Sequence, residues 1–395
     1  MELTGIHLTN FKMFRDVKLD RMTRYAVFVG ANGAGKTSFF DVFGFLKDCL
    51  QQNVRAALAK RGGFREVLCR AASAGATIGI QLRARMQLPV GTRTVTYRLE
   101  IGEQNGRVSV VAERLRYTRF GGGGKPYDFL NFAHGEGSAI TNEGDASNDE
   151  SFTREQQRLD EPDILAIKGL GQFQRFEAAR ALRSLIENWH VSDFHIQAAR
   201  PSQEAGYAEH LSPQGENLPL VAQFMYERHR DEFDKVLAKM AQRVPGISKV
   251  EPMLTQDGRL VLRFQDGSFK DPFVSRYVSD GTIKMFAYLL LLHDPQPHPL
   301  LCVEEPENQL YPLLLGELSE EFEDYARRGG QVMVSTHSPD LLNDVPFECI
   351  YLLAKRGGTT SIRRAADNPN LKALIDEGDK PGYLWRQRLF EGVDP

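Results

Sequence analysis

Residues 30–37, Gly30-Ala31-Asn32-Gly33-Ala34-Gly35-Lys36-Thr37, are the first candidates for chemistry. They follow an apolar run, Tyr25 to Val29, and precede an apolar-rich stretch from Ser38 to Leu46. Strand, glycine-rich turn and helix are expected in that order, which makes a phosphate cradle. Glycines let the backbone N–H groups of Asn32, Gly33, Ala34, Gly35, Lys36, Thr37 and Ser38 converge on phosphate oxygens, and the helix N-terminus adds a favourable partial charge. In such a cradle Lys36 reaches the outer phosphates and the Thr37 hydroxyl holds Mg²⁺.

A second group lies far downstream. Leu300-Leu301-Cys302-Val303-Glu304-Glu305-Pro306 reads as an apolar strand ending in two adjacent carboxylates. At the carboxyl edge of a strand beside a phosphate loop, one carboxylate holds Mg²⁺ and the next polarises the attacking water. Glu304 is assigned to the metal and Glu305 to the general base. A further strand, Gln331 to Val334, ends in Ser335-Thr336-His337-Ser338, where a histidine can donate to a γ-phosphate. Upstream, Val278-Ser279-Asp280-Gly281-Thr282 opens a strongly apolar helix, again a helix N-terminus with a hydroxyl and a glycine.

The elements that must position these residues are legible in outline. Residues 2–20 read as a hairpin of two short strands. Thr77–Leu82, Thr94–Ile101 and Arg107–Arg116 read as an antiparallel sheet, separated by turn signals at Gly91 and Asn105-Gly106. A four-glycine run, Gly121 to Gly124, then interrupts the pattern, and residues 133–163 are polar and acidic enough to suggest a mobile loop. Helical periodicity returns over residues 172–190, with Phe173, Phe176, Ala179, Leu182 and Leu185 on one core-facing side. Pro219 after Asn217 opens an amphipathic helix to about Gln242. Two strands, Lys249–Leu254 and Leu260–Phe264, and a mixed α/β block from Val274 to about Leu353 complete the chain.

Composition bounds the reading. With 395 residues, 42% of them apolar, a large core is possible, and a net charge of −3 gives no global drive toward nucleic acid or membranes. The four cysteines, Cys49, Cys69, Cys302 and Cys349, form no CxxC pair, so neither a zinc site nor a disulfide framework is indicated. The N-terminus lacks a signal peptide's apolar core, and the longest apolar run, Met285 to Leu292, is too short to span a bilayer. A soluble cytoplasmic protein without a membrane partner is expected. Arg55, Lys60, Arg61, Arg65 and Arg70, followed by Arg83, Arg85 and Arg93, form either a phosphate-gripping face or an ordinary solvated one. No base-reading motif is present, so any DNA contact is expected to be largely sequence-independent.

The order phosphate loop, Ser-Asp-Gly-Thr, Glu-Glu-Pro-Glu-Asn and Ser-Thr-His-Ser resembles an ABC-type ATPase head, more narrowly the SMC/RecF/OLD-like branch and the bacterial predicted AAA-type ATPases. Leu8-Thr9-Asn10-Phe11-Lys12-Met13-Phe14 is similar to that branch's first strand. Arg200-Pro201, Gly215-Glu216-Asn217-Leu218-Pro219, Leu384-Trp385 and Gly392-Val393-Asp394-Pro395 also resemble it; residues 119–195 do not. The resemblance implies a P-loop core with a mixed sheet, an antiparallel β lobe and an inserted helical segment. The corresponding division is 1–118, 119–215 and 216–395. It implies ATP and Mg²⁺ as ligands and a homodimer through ATP-bridged heads, in which Ser279 and Gly281 contact the γ-phosphate held by the other subunit. Asn308 and Leu310 would lie in the loop between the two sites, and His337 would be the switch histidine. Asp280 in place of a glycine and Glu304 in place of an aspartate depart from the transporter pattern and suit the OLD-like branch. Gln81 is the candidate for the family's glutamine-bearing loop. Long coiled coils are missing, and only residues 338–395 follow His337, too few for an appended nuclease domain. The expected function is therefore an ATP-driven switch that binds DNA or a nucleoprotein and controls a separately encoded nuclease or toxin in anti-phage defence. The alternative is a RecF-like DNA-maintenance ATPase acting as an ATP-gated clamp.

Overall fold

In the computed structural model, which describes residues 1–88, 90–118, 126–143, 151–390 and 393, β1 (Glu2–Phe11) and β2 (Phe14–Asp20) pair antiparallel, as the expected hairpin. β3 (Tyr25–Val29) is buried at all five residues and leads through the glycine-rich turn into α1 (Lys36–Gln51). The short helices α2 (Val54–Ala59) and α3 (Phe64–Val67) then return the chain to a long antiparallel meander. Its strands are β4 (Ile78–Leu88), β5 (Gly91–Gln104), β6 (Arg107–Tyr117), β7 (Tyr127–Ala133), β8 (Glu136–Ile140) and β9 (Arg154–Arg158). Asn105 and Gly106 both have positive φ, 51° and 74°, in the two-residue turn that joins Gln104 to its partner Arg107.

Helices α4 (Ala166–Leu170) and α5 (Glu177–Glu187) pack the meander onto the rest of the molecule. The chain continues through β10 (His190–Ser192), α6 (Ile196–Ala199), β11 (Gln203–Glu204), α7 (Leu218–Arg228) and α8 (Arg230–Arg243). β12 (Ile247–Leu254), β13 (Arg259–Asp266) and β14 (Phe273–Val274) form a small antiparallel sheet with β11. The apolar helix α9 (Asp280–Leu292), β15 (Leu301–Glu304), α10 (Leu313–Arg327), β16 (Val332–Thr336) and α11 (Pro339–Leu342) follow. β17 (Ile350–Arg356), β18 (Thr359–Arg364), α12 (Pro369–Asp376) and α13 (Pro381–Arg386) complete the described chain.

Two large sheets organise these elements. The first is antiparallel, in the order β2-β1-β4-β5-β6-β7-β8-β9. The second runs β10-β15-β16-β3-β17-β18, parallel except for β18. β3 lies inside the parallel sheet and is covered on both faces, which is why its sequence is continuously apolar rather than alternating. Ala26 and Phe28 join the core shared with α1 and the antiparallel lobe, while Tyr25, Val27 and Val29 join the core built by α7 to α10.

Several expectations need correction. Residues 136–140 and 154–158 are strands, not loop, because Ala139 and Ile140 bury beneath the sheet while β9 supplies a polar outer edge. The helix expected over 172–190 spans only Glu177–Glu187, and Phe173 is exposed, whereas Phe176, Ala179, Leu182 and Leu185 are buried. The helix expected from Pro219 to about Gln242 breaks at His229 into α7 and α8. The basic residues do not share one face. Arg55 to Arg70 lie on or beside α2 and α3, apart from the strand residues Arg83, Arg85 and Arg93. Most are paired: Arg55 with Asp163, Lys60 with Asp48, Arg70 with Glu66 and Arg83 with Asp20. Arg61 is almost buried, clamped by Asp41 and Asp48, so it ties α1 to α2 rather than facing solvent. The Gly121–Gly124 run, residues 144–150 of the acidic stretch and Gly392, Asp394 and Pro395 lie outside the described residues.

Candidate active site

The parallel register sets one edge of the molecule. Glu304 pairs with Ser335 at the ends of β15 and β16, and Thr336 pairs with Val29 at the end of β3, one residue before Gly30. The carboxyl ends of three neighbouring strands, the usual ligand-binding edge of such a sheet, therefore carry the phosphate loop, the paired glutamates and His337 together. Gly35 has φ of 101°, a conformation costly for any residue with a Cβ, and it turns the chain directly into α1. Asn32, Gly33 and Thr37 are exposed, Ser38 is half-buried, and Ala34 is buried, its carbonyl accepting from the Thr360 hydroxyl at 2.9 Å.

Lys36 lies 6% exposed and donates from Nζ to the Gly30 carbonyl at 2.8 Å and the Ala31 carbonyl at 3.4 Å. Its Nζ is 3.9 Å from Glu305 Oε1, which is in turn 3.5 Å from His337 Nδ1. Burial lowers the Lys36 pKa, and Glu305, Glu307 and Glu304 oppose that shift. Glu304 is raised, first by burial and then by the neighbouring Asp193, Glu305 and Asp41, while a hydrogen bond from the Thr37 hydroxyl works against the rise. Thr37 and Glu304 thus present hard oxygen donors side by side where negative charge is crowded, which suits Mg²⁺.

Glu305 is a non-glycine residue at φ 42°, and Gln309 sits at 65°, so the segment after β15 carries backbone strain. That strain turns the loop back over the site. Asn308 donates from Nδ2 to Glu305 Oε2 at 3.2 Å, and its carbonyl accepts from Lys284 Nζ at 2.7 Å. Lys284 is buried in α9, and burial lowers its pKa to about 8 against the pull of Glu307, Asp193 and Glu305. Glu307 accepts from the Thr336 hydroxyl at 2.7 Å and the His337 backbone N–H at 2.8 Å, fixing the end of β16. Sequence reasoning assigned no role to Lys284, Glu307 or Asp193. The signals were a lone lysine in an apolar helix, the fourth residue of Glu-Glu-Pro-Glu, and an acid directly after β10. Asp193, His195 and Gln197 line the same cleft as Lys284, Glu304 and Glu305. Gln81, by contrast, is on β4 and lines a separate groove with His7, Thr9 and Arg98, so it is not brought to this cleft.

Ser279 and Gly281 lie elsewhere. Ser279 is exposed at the start of α9, where its hydroxyl accepts from the Thr282 N–H at 3.2 Å. It opens onto a groove with Leu310, Tyr311 and Leu313, the last two 65% and 76% exposed. A Cβ on Gly281 would sit 3.2 Å from the Gln309 carbonyl, so glycine lets α9 approach the strained loop closely. Asp280 is held by Arg200, which also donates to the Ser275 carbonyl at 3.0 Å. The aspartate that departs from the transporter pattern is therefore an internal brace.

A family model described as an AAA domain, putative AbiEii toxin, Type IV TA system, matches residues 115–343. No curated protein matches the sequence. Among solved structures, an SMC head bound to the C-winged helix domain of ScpA is similar, at 13% identity and a TM-score of 0.56, over 92% of this chain and 97% of that one. A second, the Smc head domain with an extended coiled coil bound to the C-terminal domain of ScpA from Pyrococcus furiosus, has 12% identity and a TM-score of 0.55. It covers 96% of this chain and all of its own. At such identities the likeness is one of fold, that of a P-loop, ABC-type ATPase head.

Proposed function

Because this chain belongs to the AAA-domain family described as putative AbiEii toxin, Type IV TA system, and is an SMC-like ATPase head in fold, we propose that it is a Mg²⁺-dependent ATPase working as a dimeric switch. The observation that carries this reading is the meeting of Lys36, Glu305 and His337, from three distant segments, at one strand edge. In this reading the N–H groups of residues 32–38 hold the phosphates, and Lys36 turns from the Gly30 and Ala31 carbonyls to the outer ones. Glu305 takes the proton from a water as its oxygen bonds to the γ-phosphorus and the bond to ADP breaks, while His337 donates to the γ-phosphate. Thr37 and Glu304 hold Mg²⁺, which when bound neutralises charge on the phosphates.

The exposed Ser279, beside exposed Tyr277, Tyr311 and Leu313, supports a second head docking there, so that Ser279 and Gly281 complete its partner's nucleotide site. Nucleotide state then sets assembly state, and assembly controls a separately encoded effector, a nuclease or toxin of an anti-phage module, with DNA or a nucleoprotein as the trigger. No helix among the described residues is long and apolar enough to cross a membrane. The test is particle mass by light scattering. Glu305→Gln with Mg·ATP is expected to double in mass, and adding Ser279→Arg to return it to the monomer with ATP still bound. A Glu305→Gln protein that binds ATP and stays monomeric overturns the switch.

A further inference from the structure

At the opposite, amino end of the parallel strands lies a second polar cluster that the nucleotide chemistry does not use. His210 comes from the segment before α7, and Asp294 and His298 from the connection between α9 and β15. One ligand atom from each of the three lies within 4.8 Å of the others. His298 is 8% exposed, and its Nδ1 is 3.0 Å from the Asn188 carbonyl. A carbonyl only accepts, so Nδ1 carries the proton and Nε2 keeps its lone pair. That Nε2 is buried and has no hydrogen-bond partner. An imidazole oriented by a backbone carbonyl with its other nitrogen unshared is the form in which histidine binds metal.

The surroundings support the same reading. Asp294, its side chain 5% exposed, accepts from His210 Nδ1 at 2.7 Å and from the Gln296 N–H at 2.8 Å. The His298 ring stacks at 4.8 Å on buried His190 of β10, whose Nε2 also lacks a partner, and lies 5.1 Å from the His210 ring. Leaving buried polar nitrogens unpaired costs about 1–3 kcal/mol each, which an ion on His298 offsets. Asn217 braces the His210 segment by donating to the His210 carbonyl, and Tyr325 braces the other side by donating to the His298 carbonyl. A cleft lined by His210, His298, Gln296 and Asn188 opens to solvent and gives an ion its way in.

We propose that His210, Asp294 and His298 bind a divalent ion of the zinc class, with water as the fourth ligand, and that this ion ties the segment before α7 to the end of α9. Two imidazoles and one carboxylate select zinc-like ions over Mg²⁺ or Ca²⁺. Bonds of about 2.0–2.1 Å in a tetrahedron need ligand atoms ~3.4 Å apart, and half-exposed His210 is free to supply that adjustment.

The test uses the full chain, stripped with chelator and free of nucleotide, with Co²⁺ as the optical probe and Zn²⁺ as its competitor. One equivalent of Co²⁺ per chain is expected, with a tetrahedral visible band, no thiolate charge-transfer band and displacement by Zn²⁺. Zn²⁺ is also expected to raise the unfolding midpoint. His210→Gln, at a half-exposed position, and the isosteric Asp294→Asn are each expected to weaken binding at least tenfold and to abolish the shift in midpoint, while remaining folded without metal. No stoichiometric ion in the wild type, a thiolate band, or equal binding by both variants overturns the site.

Discussion

Glu113 and Glu305 are carboxylates from the two halves of the molecule, and they are held in opposite ways. Glu113, on β6 of the antiparallel lobe, is 1% exposed, and both of its oxygens are engaged. It accepts from the Tyr97 hydroxyl at 3.0 Å and from the N–H groups of Ala166 and Ile167, the latter at 2.9 Å, at the start of α4. Glu305 is about a third exposed, the closest polar contacts of its carboxylate are 3.2 to 3.9 Å, and its backbone is strained at φ 42°. Neither carboxylate faces a close, fixed counter-charge, so burial alone does not mark a functional acid. What separates them is whether the acceptor capacity is already spent. Glu113 uses its oxygens to dock a helix, whereas Glu305 keeps its own available where Lys36, His337 and Asn308 converge.

The largest test of that contrast is Glu305→Gln. Removing a positioned base is expected to lower ATP turnover by roughly 10²- to 10⁴-fold. The midpoint of denaturation should move little, because no close hydrogen bond is lost. A phosphate-release assay beside a urea titration checks both. Unchanged turnover, or a large loss of stability, would make Glu305 another Glu113. Lys36→Ala is expected to act next most strongly, on binding. Loss of charge-assisted bonds worth about 1.5–3 kcal/mol should weaken ATP roughly 10- to 100-fold by calorimetry. Affinity within a factor of two of wild type would separate the lysine from the phosphates.

How far this was readable beforehand depends on the range of the causes. Gly35-Lys36-Thr37, Glu304-Glu305 and His337 announce themselves because strand ends and helix starts impose local residue types. The meander from β4 to β6 was legible from alternation and from Asn105-Gly106. β8 and β9 were not, since a polar edge strand such as Arg154–Arg158 alternates too weakly to stand out from a loop. Lys284 and Glu307 gain their partners only from the fold of the 305–309 loop, whose positive φ at Glu305 and Gln309 no local propensity predicts. The break at His229 has no glycine or proline to mark it. His210 stands 84 residues before Asp294, and the short spacing from Asp294 to His298 alone does not mark a site.

The subtlest consequence lies with Glu113 and sharpens the comparison from its structural side. Burial raises its pKa to about 7, against the N–H bonds from Ile167 and Ala166 and the bond from Tyr97. In the unfolded chain a glutamate titrates near 4.3, so between those values the folded state binds more protons than the unfolded one. Stability from this group is therefore fully present below about pH 4 and declines as pH rises toward 7, with a slope of at most ~1.4 kcal/mol per pH unit. Above pH 7 its contribution is flat. Glu113→Gln removes the titration while keeping the shape, at the cost of one acceptor for the α4 N–H groups. Urea midpoints at pH 5.5 and pH 8 are expected to differ less in the variant than in the wild type. The variant should also keep wild-type ATP turnover, since neither Glu113 nor α4 touches the strand edge that carries Glu305. An unaltered pH dependence would mean that the Glu113 proton is not shared between docking and folding, and that its burial is offset by the helix N–H groups alone.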